Sequence, residues 1–242
     1  MLGIVMLGLK KLVNDRNPWV RKTVAGGLAK VYEYVHLYVS VTSSLTFRMD
    51  SSSLPQLIAI LQTLLASPSP LTLGASLTAF LEICPERLDL LHPYYRHICR
   101  LVVDADDWGQ VVALEVLTHY ARTMLEKPET PTAKRDAKSG DESEDEFEGI
   151  DIDLAMFLHC TRPLFQSRNP AVLLAISTTY FHLAPRDHSL IGQQLLVPPL
   201  LRLAGAPRSG EEITAMTWDV IAAMVEERPV CNLFEIQKQL TT

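Results

Sequence analysis

Residues 104–122, Asp-Ala-Asp-Asp-Trp-Gly-Gln-Val-Val-Ala-Leu-Glu-Val-Leu-Thr-His-Tyr-Ala-Arg, leave few folds open to this chain. Val111, Val112, Ala113, Leu114, Val116, Leu117, Tyr120 and Ala121 cover most of a helix circumference, while Glu115, His119 and Arg122 fall on one narrow polar stripe. A helix that apolar must be packed on several sides, which calls for other helices before and after it. Asp107 is read as the N-cap, with Gln110 reaching back in a variant of the capping box. Gly109 has no Cβ, so another backbone can come close there. Asp107, Trp108, Gly109 and Gln110 are therefore read as a structural corner. Trp108 is taken as a core residue whose removal costs about 3–5 kcal/mol.

Four further corners look alike: Asn17-Pro18, Ser69-Pro70, Asn169-Pro170 and Ser209-Gly210. Each offers a good cap residue, and three place proline at the first helical position, where its missing N–H costs nothing. An amphipathic run of about three turns flanks each corner on both sides. The expected fold is all-α, a right-handed α-solenoid of HEAT or armadillo-type helix pairs, with the whole chain 1–242 as one segment. The spacing is regular from Ser69 to Asp107 (38 residues) and from Asn169 to Ser209 (40 residues). It stretches to 52 residues from Asn17 to Ser69 and to 62 from Asp107 to Asn169. Two gaps therefore carry surplus sequence, about 13 and about 23 residues against the repeat period.

The first surplus lies at 34–51. Val35, Leu37, Val39 and Val41 alternate with period 2, a strand signal in a chain with no partner strand. The expectation is an irregular insert, read as translated intron sequence that stays in frame, with a genuine surface loop as the alternative. The second surplus, 126–150, holds Asp141-Glu142-Ser143-Glu144-Asp145-Glu146-Phe147-Glu148. Dense like charge and low hydrophobicity cannot offset the entropy of ordering, so this reads as an acidic disordered insert. Ser139 and Ser143 each precede a glutamate by three residues, a pattern suited to an acidophilic kinase of the casein-kinase type.

Composition narrows the function classes. The net charge of −6 argues against a general affinity for nucleic acid. Cys84, Cys99, Cys160 and Cys231 are far apart and form no CxxC pair, so they read as reduced, mostly buried thiols. Residues 1–9 are apolar but lack the basic leader and cleavage site of a signal peptide, and no run is long enough to span a bilayer. Lys10, Lys11, Arg16, Arg21, Lys22 and Lys30 make the first unit basic, which suits a solvated face or contact with acidic headgroups or an acidic partner. His92, His97 and Cys99 invite a metal reading, but 97 does not share the face of 92 and 99 and no fourth ligand lies nearby. There is no phosphate-binding glycine loop and no nucleophile elbow, so no active site, cofactor or metal is assigned. Gly26-Gly27, inside a helical pattern, is expected to mark close helix packing.

Several motifs carry a family resemblance. Asp107-Trp108-Gly109-Gln110, followed by an apolar helix ending Leu117-Thr118-His119-Tyr120-Ala121-Arg122, resembles the trunk of the β-adaptins, the large β subunits of clathrin-type adaptor complexes. The ending, the run Cys84-Pro85-Glu86-Arg87-Leu88-Asp89-Leu90-Leu91-His92 and the stretch Arg162-Pro163-Leu164 through Val172 are most similar to the complex-3 branch. The resemblance covers about 1–33 and 52–229. It implies a non-enzymatic scaffold that cups the medium and small chains, with a second large chain as a further partner. It also implies peripheral placement on Golgi and endosomal membranes and transport vesicles, sorting cargo toward lysosome or vacuole, with a small GTPase and an acidic membrane surface as further contacts. Because Met1 opens directly on an apolar helix, adaptin-like repeats are expected to precede it in the full gene product. A different HEAT protein, such as a nuclear transport receptor with a Ran-type GTPase and basic cargo, is the rival reading.

Overall fold

The computed structural model describes residues 2–42, 53–126, 151–184, 196–205 and 211–227. Among these, regular structure is helical and no strand occurs. The helices come in succession as α1 (Leu2–Leu12) and α2 (Pro18–Thr42), α3 (Ser53–Leu65) and α4 (Pro70–Ile83), α5 (Tyr95–Leu101) and α6 (Asp107–Met124). Then follow α7 (Ile152–Thr161) and α8 (Pro170–Leu183), α9 (Val197–Ala204) and α10 (Glu211–Glu227). The all-α helical-repeat class expected from the corners is thus what the chain adopts. It divides into two compact units, Met1–Val116 and Leu117–Thr242, with the boundary inside α6.

In the first unit α2 lies along α4, α3 packs on both, α1 packs on α2, and α5 meets α4. Helix α4 is covered on most sides, because Leu73, Leu77, Ala79, Phe80 and Ile83 are all buried. Leu28, Leu61, Leu91 and Ile98 complete this core, each side chain stabilising by about 1.5–3 kcal/mol on burial. The buried hydroxyls of α4 are satisfied locally. Thr72 Oγ1 donates to the Ser69 carbonyl and Ser76 Oγ to the Thr72 carbonyl. In the second unit α8 is central, touching α7, α9, α10 and the short 3-10 turn Arg162–Gln166. Phe157, Ile176 and Tyr180 are buried there, and Thr118 Oγ1 lies 2.9 Å from Thr179 Oγ1.

The corners are built by side-chain capping at some positions and by other means elsewhere. Asn17 Oδ1 accepts from the Trp19 N–H at 3.0 Å, and Asn169 Oδ1 from the Ala171 N–H at 2.9 Å. Each closes one of the orphan donors of a helix start. Ser69 has the extended backbone of a cap residue but makes no side-chain cap bond. The Thr72 hydroxyl instead donates to the Ser69 carbonyl, which ties the turn to the helix without satisfying an orphan N–H. The Ser209-Gly210 corner lies outside the described residues.

Two expectations need correction. The stretch 34–51 is not irregular at its start, because α2 continues as helix through Thr42. Once a helix is nucleated, each added residue gains a backbone bond for two dihedrals, and that outweighs the weak strand preference of Val35, Val39 and Val41. The remainder, 43–51, lies outside the described residues, as does 127–150 of the acidic insert. Gly26 and Gly27 do not mark close helix packing. A Cβ added at Gly26 meets nothing within 4 Å, and one at Gly27 meets only Leu9 Cδ2 at 3.6 Å.

Candidate interaction surface

The corner of the third pair sits one residue earlier than its sequence suggests. The Gln110 N–H donates to the Asp106 carbonyl at 2.8 Å, so Asp106 stands at the cap position and Asp107 is the first helical residue. The Gln110 side chain makes no capping box. It is buried, and its Nε2 donates to the carbonyls of Val103 at 3.0 Å and Ala105 at 3.1 Å. Those carbonyls belong to the turn that ends the preceding helix. Gln110 therefore ties that turn to the start of α6, and a charged hydrogen-bond acceptor at this position could not do so.

Another backbone does approach Gly109, and it is that of Gly74 in α4. A Cβ built on Gly74 would lie 2.5 Å from Gly109 Cα, closer than real Cβ atoms come to anything. One built on Gly109 would lie 2.7 Å from Asp106 Oδ1 and 3.2 Å from Gly74 Cα. Two glycines facing each other let α4 and α6 cross in contact at their N-terminal turns. Sequence reasoning singled out Gly109 and missed Gly74. The available signal was a lone glycine within the apolar helical run Leu73-Gly74-Ala75.

Trp108 is not a core residue. It is 72% exposed, so the expected burial is overturned. The reason is the face it occupies: Trp108 lies on the exposed stripe of Glu115, His119 and Arg122, whereas Gly109 and Gln110 of the same turn are buried. Trp19 occupies the same place on α2, the second helical residue after the cap, and is 63% exposed. Lys22 links the two corners. Its Nζ lies 5.9 Å from the centroid of the Trp19 ring and 3.5 Å from Asp106 Oδ2. This partly exposed pair contributes about 0–1 kcal/mol. It shows that the start of α2 lies near the start of α6.

The basic residues of the first unit are largely engaged within the chain. Lys10 Nζ donates to Gln56 Oε1 at 2.8 Å, and Arg21 donates to the Asp15 carbonyl at 2.7 Å. Lys30 pairs with Glu33 at 2.9 Å, a contact that raises the lysine pKa. Arg87 pairs with Asp89 at 2.8 Å on the surface, and its hydrogen bond lowers the aspartate pKa. The metal trio is scattered: His97 Nε2 lies 3.2 Å from the Ser67 carbonyl, Cys99 is in the core and His92 is exposed. No group of three or more His, Cys, Asp or Glu suited to a metal occurs among the described residues. Burial raises the Cys84 thiol to about 11, so it stays protonated near neutrality. Ser139 and Ser143 lie outside the described residues. No described helix is long and apolar enough to cross a membrane.

Three comparisons bear on this arrangement. Residues 1–230 match the family described as the adaptin N terminal region. The chain is 34% identical to AP-3 complex subunit beta of Dictyostelium discoideum over 265 aligned positions, covering 97% of this chain and 22% of that protein. It is 33% identical to AP-3 complex subunit beta-1 of Homo sapiens, covering 94% of this chain and 20% of that protein. The chain thus spans about a fifth of the length of the curated relatives it matches. A solved assembly titled as a homology model of the full-length AP-3 complex in an intermediate open conformation matches with a TM-score of 0.51. That match is at 24% identity and covers 90% of this chain and 34% of the other, a likeness of fold.

Proposed function

The chain belongs to the adaptin N-terminal region family, and on that premise we propose that it is a scaffold segment of the β subunit of an AP-3-type adaptor complex. The observation that carries this reading is the similarity to AP-3 complex subunit beta along 97% of the chain. The fold is consistent with it: stacked helix pairs present surfaces on which other chains dock, and the work is done by shape rather than by bond-making chemistry. In this reading the partners are a second large chain, a medium chain and a small chain. The assembly is peripheral on Golgi and endosomal membranes and supports cargo transport toward lysosome or vacuole. A small GTPase and an acidic membrane surface are further contacts in the same reading. The internal pairing of Lys10, Arg21, Lys22 and Lys30 makes the basic end of this segment a weaker candidate for the membrane contact. The chain itself is not an enzyme in this proposal. A nuclear transport receptor is not favoured, since the matched family and relatives are adaptins.

The test is affinity purification of the full-length gene product followed by mass spectrometry. Three further adaptor subunits in equal stoichiometry are expected. Recovery of a Ran-type GTPase with basic cargo, or of the chain alone, would overturn the reading.

A further inference from the structure

We propose that the edge carrying Trp19 and Trp108 is a docking surface for a segment of a co-assembled protein subunit, one that brings two apolar anchors, acidic residues toward Arg16 and basic residues toward Asp104 and Asp107. This deepens the scaffold reading and rests on it. The chain has three tryptophans, and two of them stand at the same place, the second helical residue of α2 and of α6. Both are largely exposed. Between them in the repeat order, Leu71 holds the equivalent place on α4. The starts of the three helices lie at one end, because Gly74 meets Gly109 and Lys22 reaches Asp106. The three corners thus present Trp, Leu and Trp along one edge.

Neither indole is needed to start its helix. The α2 start is capped by Asn17, and the α6 start is held by the Asp106 carbonyl and by Gln110. Large exposed aromatics that are not needed to start their helices are suited to anchor interfaces, because a rigid ring buries much area at little entropic cost. Charge then selects the occupant. Arg16 is exposed next to Trp19, whereas Asp104 and Asp107 are exposed around Trp108, so the edge runs from basic to acidic. A complementary segment carries the opposite order. An anionic membrane does not fit, because the aspartates at 104 and 107 would repel it where Trp108 would have to insert.

The test uses the full-length gene product with p-benzoylphenylalanine in place of Trp19 or Trp108, irradiated in the assembled state, with the crosslinked peptides sequenced. Both positions are expected to crosslink to one subunit, with acidic residues flanking the site reached from 19 and basic residues flanking the site reached from 108. A Trp19→Ala/Trp108→Ala variant is expected to hold that subunit roughly 30-fold less tightly, the equivalent of one interface hot spot, while its melting temperature moves little. Crosslinks from only one position or from neither, crosslinks to lipid or to a second copy of this chain, a reversed charge order, or unchanged retention in the double variant each overturn the edge. Partner subunits that co-purify with the unsubstituted protein without such crosslinks leave the scaffold reading standing and remove only the edge. Correctly ordered crosslinks to a protein that is no adaptor subunit keep the edge and remove the scaffold reading.

Discussion

The corner at Asp106–Gln110 and the corner at Ser167–Ala171 start similar helices by different means. At the first, the side chain that matters is Gln110, which reaches backward to the carbonyls of Val103 and Ala105, and the helix start is pressed against Gly74. Its aromatic, Trp108, faces solvent. At the second, Asn169 caps the Ala171 N–H, Pro170 follows, and the nearby aromatics are buried. Phe165 meets Tyr180 edge-on at 4.9 Å, and the Tyr180 hydroxyl donates to the Leu158 carbonyl. An aromatic of similar size is surface in one place and keystone in the other. The difference lies in the face each occupies: Trp108 shares the exposed stripe of Glu115, His119 and Arg122 on α6, while Tyr180 shares the buried face of Leu173 and Ile176 on α8.

That contrast is most easily broken at Tyr180. The Tyr180→Ala variant is expected to destabilise by about 3–5 kcal/mol, the range for emptying an aromatic site in a packed core. The shift in the urea midpoint measures it, and a loss near 1 kcal/mol would show that the second unit collapses around the gap. Next comes the glycine contact. Gly74→Ala is expected to cost about 1–3 kcal/mol, because its new Cβ meets backbone that cannot turn aside. Gly109→Ala is expected to cost less, since its nearest obstacle is the Asp106 side chain and the Gly74 backbone lies farther off, at 3.2 Å, while the helix propensity that alanine regains is common to both variants. Equal melting-temperature shifts for the two variants would argue against a backbone crossing there.

Three smaller effects sharpen the comparison of the corners themselves. Gln110→Ala leaves two carbonyls without their side-chain donor and should cost about 1–2 kcal/mol, and Asn169→Ala should cost about 1 kcal/mol for the lost cap. Trp108→Ala should change folding stability by no more than about 0.5 kcal/mol, as for other exposed positions. Thermal unfolding of the three variants side by side ranks them. A Trp108→Ala loss of several kcal/mol would restore the core role that its sequence context suggests.

Local chemistry determined the all-helical class, the order of the pairs and most of the corner positions. Asn17-Pro18, Ser69-Pro70 and Asn169-Pro170 all precede helices, because a short polar side chain and a fixed proline φ act within one turn and need no distant partner. The exposed stripe of Glu115, His119 and Arg122 was legible for the same reason, since helical period alone assigns it to one face. The family resemblance was legible in motifs that sit on those corners. Trp108 was legible in the same way as the stripe, because the stripe extended back toward the helix start contains it, whereas Tyr120 lies about 120° away on the buried side. What only the tertiary structure decided concerns partners across pairs. The crossing of Gly74 with Gly109 and the reach of Lys22 to Asp106 join residues far apart in sequence. The helical course of 34–42 has a local cause instead: a short strand-like alternation states a preference of a few tenths of a kcal/mol per residue, and continuation of an established helix outweighs it.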